Sequence, residues 1–151
     1  MKKICFVLFI AVALSCSSDD NGPQPPTFDV SKLLRGWAYD EIATDGLLLP
    51  YPHNPDCYMD YFGFRNSETQ PYQFEEGIFT GQDCSGTYTL LRWEPDGDHI
   101  NLYFNELVAR IVILELTDTF FHGVYEADVD HDGDVDVQEF TGIPYDPFDS
   151  F

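Results

Sequence analysis

Hydrophobic and polar positions alternate with a period of two over most of the chain beyond residue 36. Runs rich in aromatic and β-branched residues are separated by turn-forming residues, which is typical of half-buried β-strands. The predicted strands span residues 37–42, 47–51, 58–64, 72–80, 86–93, 99–104, 107–116 and 119–126. Tight connections such as Asp45-Gly46 and Asp96-Gly97 fit antiparallel neighbours. About eight strands at this spacing predict an all-β antiparallel barrel or sandwich.

Two stretches need a separate interpretation. Residues 27–37, TFDVSKLLRGW, predict a short N-terminal helix of at most two turns, with Asp29 or Ser31 as its N-cap and Gly36 ending it. Residues 107–117, LVARIVILELT, are almost continuously apolar, so periodicity cannot separate a buried strand from a buried helix. The Val and Ile content of this stretch favours the strand.

The N-terminal residues have the layout of a secretory signal. Lys2 and Lys3 precede an apolar run over residues 4–14, and Ser15 and Cys16 follow it. This run is too short to cross a bilayer, because a spanning helix needs roughly 20 apolar residues. The sequence ALSC at residues 13–16 resembles a bacterial lipobox. It implies a lipoprotein signal peptide over residues 1–15 and a lipid on Cys16; ordinary cleavage that leaves a free cysteine is the alternative.

A polar segment follows the signal and precedes the predicted domain, residues 28–151. Residues 16–27 are rich in Ser, Asp, Gly and Pro, a composition that predicts a flexible tether. Asp19 and Asp20 directly after the cysteine resemble the acidic export signal of surface lipoproteins in Bacteroidota. That resemblance implies an outer-membrane lipoprotein of the cell envelope, exposed at the cell surface and touching the membrane only through the lipid on Cys16.

The charge of the chain excludes some classes of partner. Lys and Arg number 7 against 27 Asp and Glu, a formal charge of −20, so nucleic-acid phosphates and anionic lipid head groups are repelled. Aromatic residues make up 16% of the chain, far more than in disordered acidic chains, which lack apolar surface to bury. We therefore expect no nucleic-acid partner and a domain that folds despite its charge.

If the N-terminus is a lipoprotein signal, two of the four cysteines remain available for pairing. Cys5 leaves with the signal and Cys16 takes the lipid, so Cys57 and Cys84 remain. In an oxidising compartment the simplest prediction is a disulfide, which would stabilise the fold by about 3 kcal/mol in the chain-entropy model. A metal or redox site is the competing hypothesis, although neither cysteine belongs to a C-x-x-C motif.

The order of these features resembles a known family. A lipoprotein signal and polar tether lead into a short helix and LLRGWAYDEI, and CSGTYTL and paired hairpins follow. Over roughly residues 30–145 the chain is similar to the lipocalin-like lipoproteins of Bacteroidota. The resemblance implies an up-and-down barrel that holds a small apolar ligand or glycan. For Trp37 we expect core packing rather than ligand contact.

The most specific motif is the acidic segment DVDHDGDVDVQEF at residues 128–140. It reproduces the spacing of an EF-hand-type calcium loop over residues 128–139, with glycine at position 6, Gly133. The predicted metal residues, at positions 1, 3, 5, 7, 9 and 12, are Asp128, Asp130, Asp132, Asp134, Asp136 and Glu139. A solvated acidic turn is the alternative, but these carboxylates repel one another strongly unless a cation lies among them.

Each residue type in the motif has a reason to be there. Ca²⁺ takes 6 to 8 oxygen ligands at about 2.3–2.6 Å, and alternating Asp residues supply them from a turning backbone. Gly133 permits the sharp reversal, Asp134 offers its backbone carbonyl, and Asp136 is expected to act through a water. Glu139 is long enough to reach back with both oxygens. Val135 is expected to point into apolar surroundings.

The flanks of the motif do not predict the helix pair of an EF-hand proper. FFHGVYEA before the loop has a β-like pattern, and Gly142 and Pro144 interrupt the residues after it. We therefore expect a calcium-binding connection between the last strands, or a cap on the C-terminal tail, with a structural role and a dissociation constant of about 10⁻⁴–10⁻³ M.

Three classes of function follow from the sequence. The first is a calcium-stabilised surface lipoprotein whose barrel binds a small molecule, and the second is a calcium-stabilised module that docks a partner protein. The third is a hydrolase with an unrecognised site. The four histidines form no H-x-x-x-H motif and no G-x-S-x-G motif occurs, so we expect the chain not to be an enzyme.

Overall fold

In the computed structural model, which describes residues 22–147, one short helix precedes nine strands. Helix α1 is Val30–Leu33. The strands are β1 Gly36–Thr44, β2 Leu47–Pro50, β3 Tyr61–Arg65, β4 Gln73–Thr80, β5 Ser85–Asp96, β6 His99–Tyr103, β7 Leu107–Leu116, β8 Phe121–Ala127 and β9 Asp136–Pro144. Each of the eight predicted strands overlaps one of β1 to β8, including the strand predicted for the apolar stretch at residues 107–117.

The strands form one antiparallel sheet that closes on itself. Its order is β2-β1-β3-β4-β5-β6-β7-β8-β9, and β1 also pairs with β9. Closure involves β1 and β3 to β9, and β2 extends the sheet beside the second half of β1. The predicted all-β antiparallel fold is confirmed as a closed eight-stranded, lipocalin-like barrel with one extra strand.

The pairing registers define two ends of the barrel. Helix α1, the β5–β6 turn and the β7–β8 turn lie at one end, called here the α1 end. The β1–β2 turn, the β4–β5 turn and the β8–β9 connection lie at the other, called the loop end. The predicted calcium motif therefore belongs to the loop end.

Aromatic side chains fill the barrel at the α1 end. Trp37, Trp93 and Phe121 are fully buried, and the Trp37 and Phe121 ring centroids lie 5.7 Å apart. The Trp37 indole N–H donates to the Leu33 carbonyl at 3.4 Å. The Arg35 guanidinium lies over the Trp37 ring at 5.6 Å from its centroid. Trp37 is thus a core residue, as predicted.

Helix α1 and the residues before it are tied to the α1 end. Asp29 caps the single turn of α1, its Oδ1 accepting from the Ser31 N–H at 3.0 Å. The Gly97 N–H donates to the Gln24 carbonyl at 3.1 Å, and the Thr27 N–H donates to the Gly97 carbonyl at 2.8 Å. The end of the predicted tether is therefore hydrogen bonded to the barrel.

The predictions for residues 1–21 lie outside the described residues, and these include the signal peptide, the lipidated Cys16 and most of the tether. Between residues 22 and 147 no helix is both long and apolar enough to cross a membrane.

The predicted disulfide is present. Cys57 Sγ and Cys84 Sγ lie 2.07 Å apart, across a sequence separation of 27 residues. Cys57 belongs to the connection between β2 and β3, and Cys84 to the β4–β5 turn. The bond therefore joins the connection that leads into β3 to the turn that follows β4, beyond the pairing of those two strands at Tyr61 and Gly77.

Strand β9 is not among the eight strands predicted from the sequence, in which Gly142 and Pro144 argue against a helix after the loop. At Gly142 a Cβ would lie 3.1 Å from Phe62 Cζ, so glycine leaves room for a core ring to approach the strand. Pro144 is the last residue of β9 and pairs with Trp37, a strand-end position where proline is tolerated. The calcium motif is consequently the connection of a β-hairpin, one of the two placements that the sequence predicts.

Candidate metal centre and barrel cavity

The predicted calcium motif is divided between a loop and a strand. Strand β8 ends at Ala127, strand β9 begins at Asp136, and these two residues pair across the hairpin. Residues 128–135 form the connection, here called the acidic loop, and residues 136–139 continue in an extended conformation. In an EF-hand proper a helix begins at this point, whereas here a strand begins. The side chain at position 12 of the motif is therefore oriented differently in the two cases.

Three of the predicted ligands come together. Asp128, Asp130 and Asp136 each offer one carboxylate oxygen, and these oxygens all lie within 4.8 Å of one another. At Ca²⁺–oxygen distances of about 2.3–2.6 Å, two ligands on opposite sides of the ion are about 4.6–5.2 Å apart. The separation of the three oxygens therefore fits a single calcium ion between them.

One carboxylate oxygen of Asp128 is buried without a partner. Asp128 Oδ1 is inaccessible to solvent and accepts no hydrogen bond from the described residues. The other oxygen, Oδ2, accepts from the Gly133 N–H at 3.1 Å. A buried carboxylate oxygen without a partner is costly, and a coordinated cation removes that cost. The donor set therefore fits a hard divalent cation in chemistry as well as in spacing.

Hydrogen bonds from the backbone shape the acidic loop around this cluster. The Asp132 N–H donates to Asp130 Oδ1 at 3.2 Å, and the Asp134 N–H donates to Asp132 Oδ1 at 2.8 Å. Gly133 has a φ of 96°, the left-handed region that the sequence motif requires of its glycine. Asp132 and Asp134 therefore turn the chain but lie outside the group of three close oxygens.

The structure does not bring Glu139 to the cluster. Glu139 lies three residues beyond Asp136 in β9, so strand alternation places the two side chains on opposite faces of the sheet. Its Oε1 lies 2.7 Å from His122 Nε2. Val135 also differs from expectation, because it is 64% exposed, although it lies beside Leu107 and Val108 of β7.

A cavity of about 290 Å³ occupies the barrel at the loop end. Its walls include the aromatic residues Tyr39, Tyr51, Phe62 and Phe140, and Val129 of the acidic loop lies at its edge. A β-bulge between Tyr39 and Ile42, where two residues of β1 face one residue of β9, turns both of these side chains towards the cavity.

The cavity contains a carboxylate. Glu76 of β4 lines it, and the Tyr39 hydroxyl donates to Glu76 Oε1 at 2.6 Å. Burial raises the pKa of Glu76, and the hydrogen bond from Tyr39 opposes this shift. Burial, with the nearby Glu76 carboxylate, raises the pKa of both Tyr39 and Tyr125. Both phenols therefore stay neutral at ordinary pH, and the Tyr39 hydroxyl donates to Glu76.

Glu76 is not among the functional residues that the sequence motifs predict. The alternating pattern of the sequence does indicate Glu76 as an inward-facing residue. Phe74, Glu76 and Ile78 share one face of the strand predicted for residues 72–80. A glutamate between two apolar residues on an inward face marks a buried carboxylate.

No known family model matches the chain, and the search of curated proteins likewise found no match.

Proposed function

We propose that the protein is a calcium-binding, lipid-anchored lipoprotein of the cell envelope, related to the lipocalin-like lipoproteins of Bacteroidota. In this proposal Ca²⁺ orders the acidic loop and the C-terminal hairpin, and the barrel binds a small ligand. The closed barrel and the Cys57–Cys84 disulfide are consistent with that family. Cys16 carries the lipid, and the domain faces outward from the outer membrane.

The cluster of three carboxylates is the observation that carries the proposal. Asp128, Asp130 and Asp136 hold their oxygens within 4.8 Å of one another, and Asp128 Oδ1 is buried without a partner. Asp132 and the Asp134 carbonyl complete the oxygen shell together with water. Because the acidic loop joins two strands rather than two helices, the ion acts by stabilising the hairpin and not by opening a helix pair.

Thermal unfolding with and without calcium tests this proposal. The sample is the chain 17–151, which contains the whole described barrel, freed of metal and then brought to 10 mM CaCl₂. With a dissociation constant of about 10⁻⁴–10⁻³ M, calcium adds about 1.4–2.7 kcal/mol to the free energy of unfolding, or roughly 4–10 °C to Tm. MgCl₂ at the same concentration is the control, since Mg²⁺ prefers a smaller octahedral site. Equal Tm values in calcium and magnesium would refute the proposal.

The lipid anchor has a separate test. Metabolic labelling with a radioactive fatty acid is expected to label the full chain and not its Cys16→Ala variant, which should be released from the membrane fraction. Cys57 and Cys84 pair with each other, so they offer no competing thiol in the folded protein. Label retained by the variant would contradict the assignment of Cys16.

A second candidate, the interaction module, is favoured by exposed apolar residues near the loop end. Phe104 and Leu107 flank the β6–β7 turn, and Val129 and Val135 lie in the acidic loop. Phe104 is 74% exposed and the two valines 65% and 64%. The cavity supports the first candidate, since small-ligand sites are typically concave and mostly apolar.

A further inference from the structure

We propose that the barrel cavity binds a small organic ammonium ion, an amine with an apolar body whose cationic head lies against Glu76. This inference rests on the proposed function only in taking the barrel as a ligand-binding site. It narrows the chemical class of the ligand, which the family resemblance gives only as a small apolar molecule or a glycan.

Aromatic rings surround the position of the ligand. Tyr39 stacks on Tyr51 with ring centroids 4.9 Å apart and planes inclined by 15°. The Tyr39 centroid lies 5.1 Å from that of Phe62 and 5.6 Å from that of Phe140. Faces of aromatic rings carry negative electrostatic potential and attract ammonium groups. Rings from three strands and the segment after β2 therefore provide a cation-binding wall.

The carboxylate of Glu76 makes this part of the cavity favour cationic ligands. Its described hydrogen-bond donor is the neutral Tyr39 hydroxyl, at 2.6 Å. None of the residues that line the cavity, all within the described part of the chain, is Lys, Arg or His. A partly buried carboxylate without a cationic neighbour is stabilised by any positive charge that enters the cavity.

A second carboxylate strengthens this preference. Asp60 is 5% exposed and its Oδ1 accepts from the Phe79 N–H at 2.6 Å. Its charge acts on both Tyr51 and Glu76, the cavity residues whose pKa values it helps to raise. Two negative groups beside one cavity repel anionic ligands such as fatty acids and phosphates, and they leave neutral ligands without a charge partner.

The size of the cavity limits the body of the ligand. A volume of about 290 Å³ is at the lower end of the range for ligand pockets, about 300–1,000 Å³. Ile42, Phe74, Ile78 and Ile111 provide apolar wall, so a short aliphatic chain or a single ring fits beside the charged head. A monoamine with one ring meets both requirements.

Calorimetric titration with three matched probes tests the charge preference. The chain 17–151, saturated with calcium, is titrated with 2-phenylethylamine, 2-phenylethanol and phenylacetate, which share a ring and differ in head-group charge. We expect the amine to bind at least tenfold more tightly than the alcohol, and the carboxylate to give no binding heat. Equal affinity for amine and alcohol, or no binding of the amine at 10 mM, would overturn the inference.

Two isosteric variants distinguish the effect of the Glu76 carboxylate on amine binding from the effect of the overall negative charge. Glu76→Gln is expected to weaken binding of the amine at least tenfold and to leave the alcohol unaffected. Glu115→Gln removes the same charge from an exposed position of β7 and should leave both affinities unchanged. An amine affinity that falls equally in both variants, or in neither, would contradict a role of Glu76.

Calcium binding is measured on the same samples before the amine titrations. Calcium heat with no amine binding refutes the ligand class alone. Amine binding with no calcium heat refutes the metal site and leaves the ligand class supported.

Discussion

Asp128 and Glu76 both hold carboxylate oxygens away from water, but the surroundings of the two residues differ. Asp128 belongs to a cluster of three aspartates, and its Oδ1 is buried without a hydrogen-bond donor, which favours a metal cation there. Glu76 faces aromatic rings and one phenol, where an organic cation is the better match. The same side-chain chemistry therefore supports two different ligands.

The distance of Glu139 from the cluster leads to a prediction about calcium affinity. Because Glu139 faces His122 on the other side of the sheet, Glu139→Gln should change the calcium dissociation constant by less than threefold. Asp130→Asn, the matched loss of one charge within the cluster, should raise it at least tenfold. Competition with a fluorescent calcium chelator measures both values. A greater loss for Glu139→Gln than for Asp130→Asn would instead support the complete EF-hand ligand set that the sequence predicts.

The raised pKa of Glu76 predicts a pH dependence of stability. Burial places the folded-state pKa of Glu76 above the ordinary value of a glutamate, so the folded chain binds the proton more tightly than the unfolded chain. Burying the Glu76 carboxyl group therefore costs the least stability below the unfolded-state pKa, where the group is protonated in both states. The free energy of unfolding then falls as pH rises through the folded-state pKa. Glu76→Gln should remove this component and raise stability relative to wild type at pH 7 more than at pH 4.5.

Urea unfolding followed by tryptophan fluorescence, without calcium or amine, measures this difference. The control is Glu115→Gln, an exposed glutamate for which the same change should give no such trend with pH. A stability difference between Glu76→Gln and wild type that stays constant from pH 4.5 to pH 7 would contradict the assigned cause.

At the scale of elements, local pattern predicted most of the barrel and missed β9. Alternation and turn residues locate β1 to β8, because each of those strands buries one face. Gly142 and Pro144 are unfavourable strand residues, so local pattern does not predict β9. The close approach of Phe62 explains Gly142, and the strand-end pairing with Trp37 explains why Pro144 is tolerated. The cavity depends on the β1 bulge and on closure between β1 and β9, neither of which local pattern encodes.

The candidate metal centre was predicted only in part for the same reason. Of the residues that the EF-hand spacing selects, the hairpin brings Asp128, Asp130 and Asp136 together. Spacing alone assumes that a helix follows the loop and turns Glu139 back towards the ion. Pairing of β9 with β8 extends the chain instead, so the side chain of Glu139 departs from the expected position.

The backbone of the acidic loop gives a prediction at this scale. Gly133→Ala places a β-carbon at a φ of 96°, which should cost about 1–2 kcal/mol and weaken calcium binding, because the Gly133 N–H also holds Asp128. Gly46→Ala is the matched control, since Gly46 has a φ of 77° in the β1–β2 turn and no atom near its missing Cβ. Gly46→Ala should lower the free energy of unfolding by a similar amount and leave the calcium affinity unchanged. Equal calcium affinities in the two variants would refute this role of Gly133.

At the scale of the whole molecule, negative charge and a closed barrel act together. A formal charge of −20 makes each additional buried or clustered carboxylate costly, so cations bound at the loop end stabilise the fold. The acidic loop and the cavity share that end, and Val129 belongs to both. The proposed calcium site in the acidic loop and the proposed amine site in the cavity therefore both lie at the loop end of the barrel.

Calorimetric titration of the metal-free chain 17–151 with CaCl₂ tests the central claim most directly. The expected result is one binding site with a dissociation constant of about 10⁻⁴–10⁻³ M. Asp128→Asn, which keeps the size of the side chain and neutralises its charge, should remove the binding heat. No heat from wild type at millimolar calcium, or heat that is identical in Asp128→Asn, would contradict the calcium site.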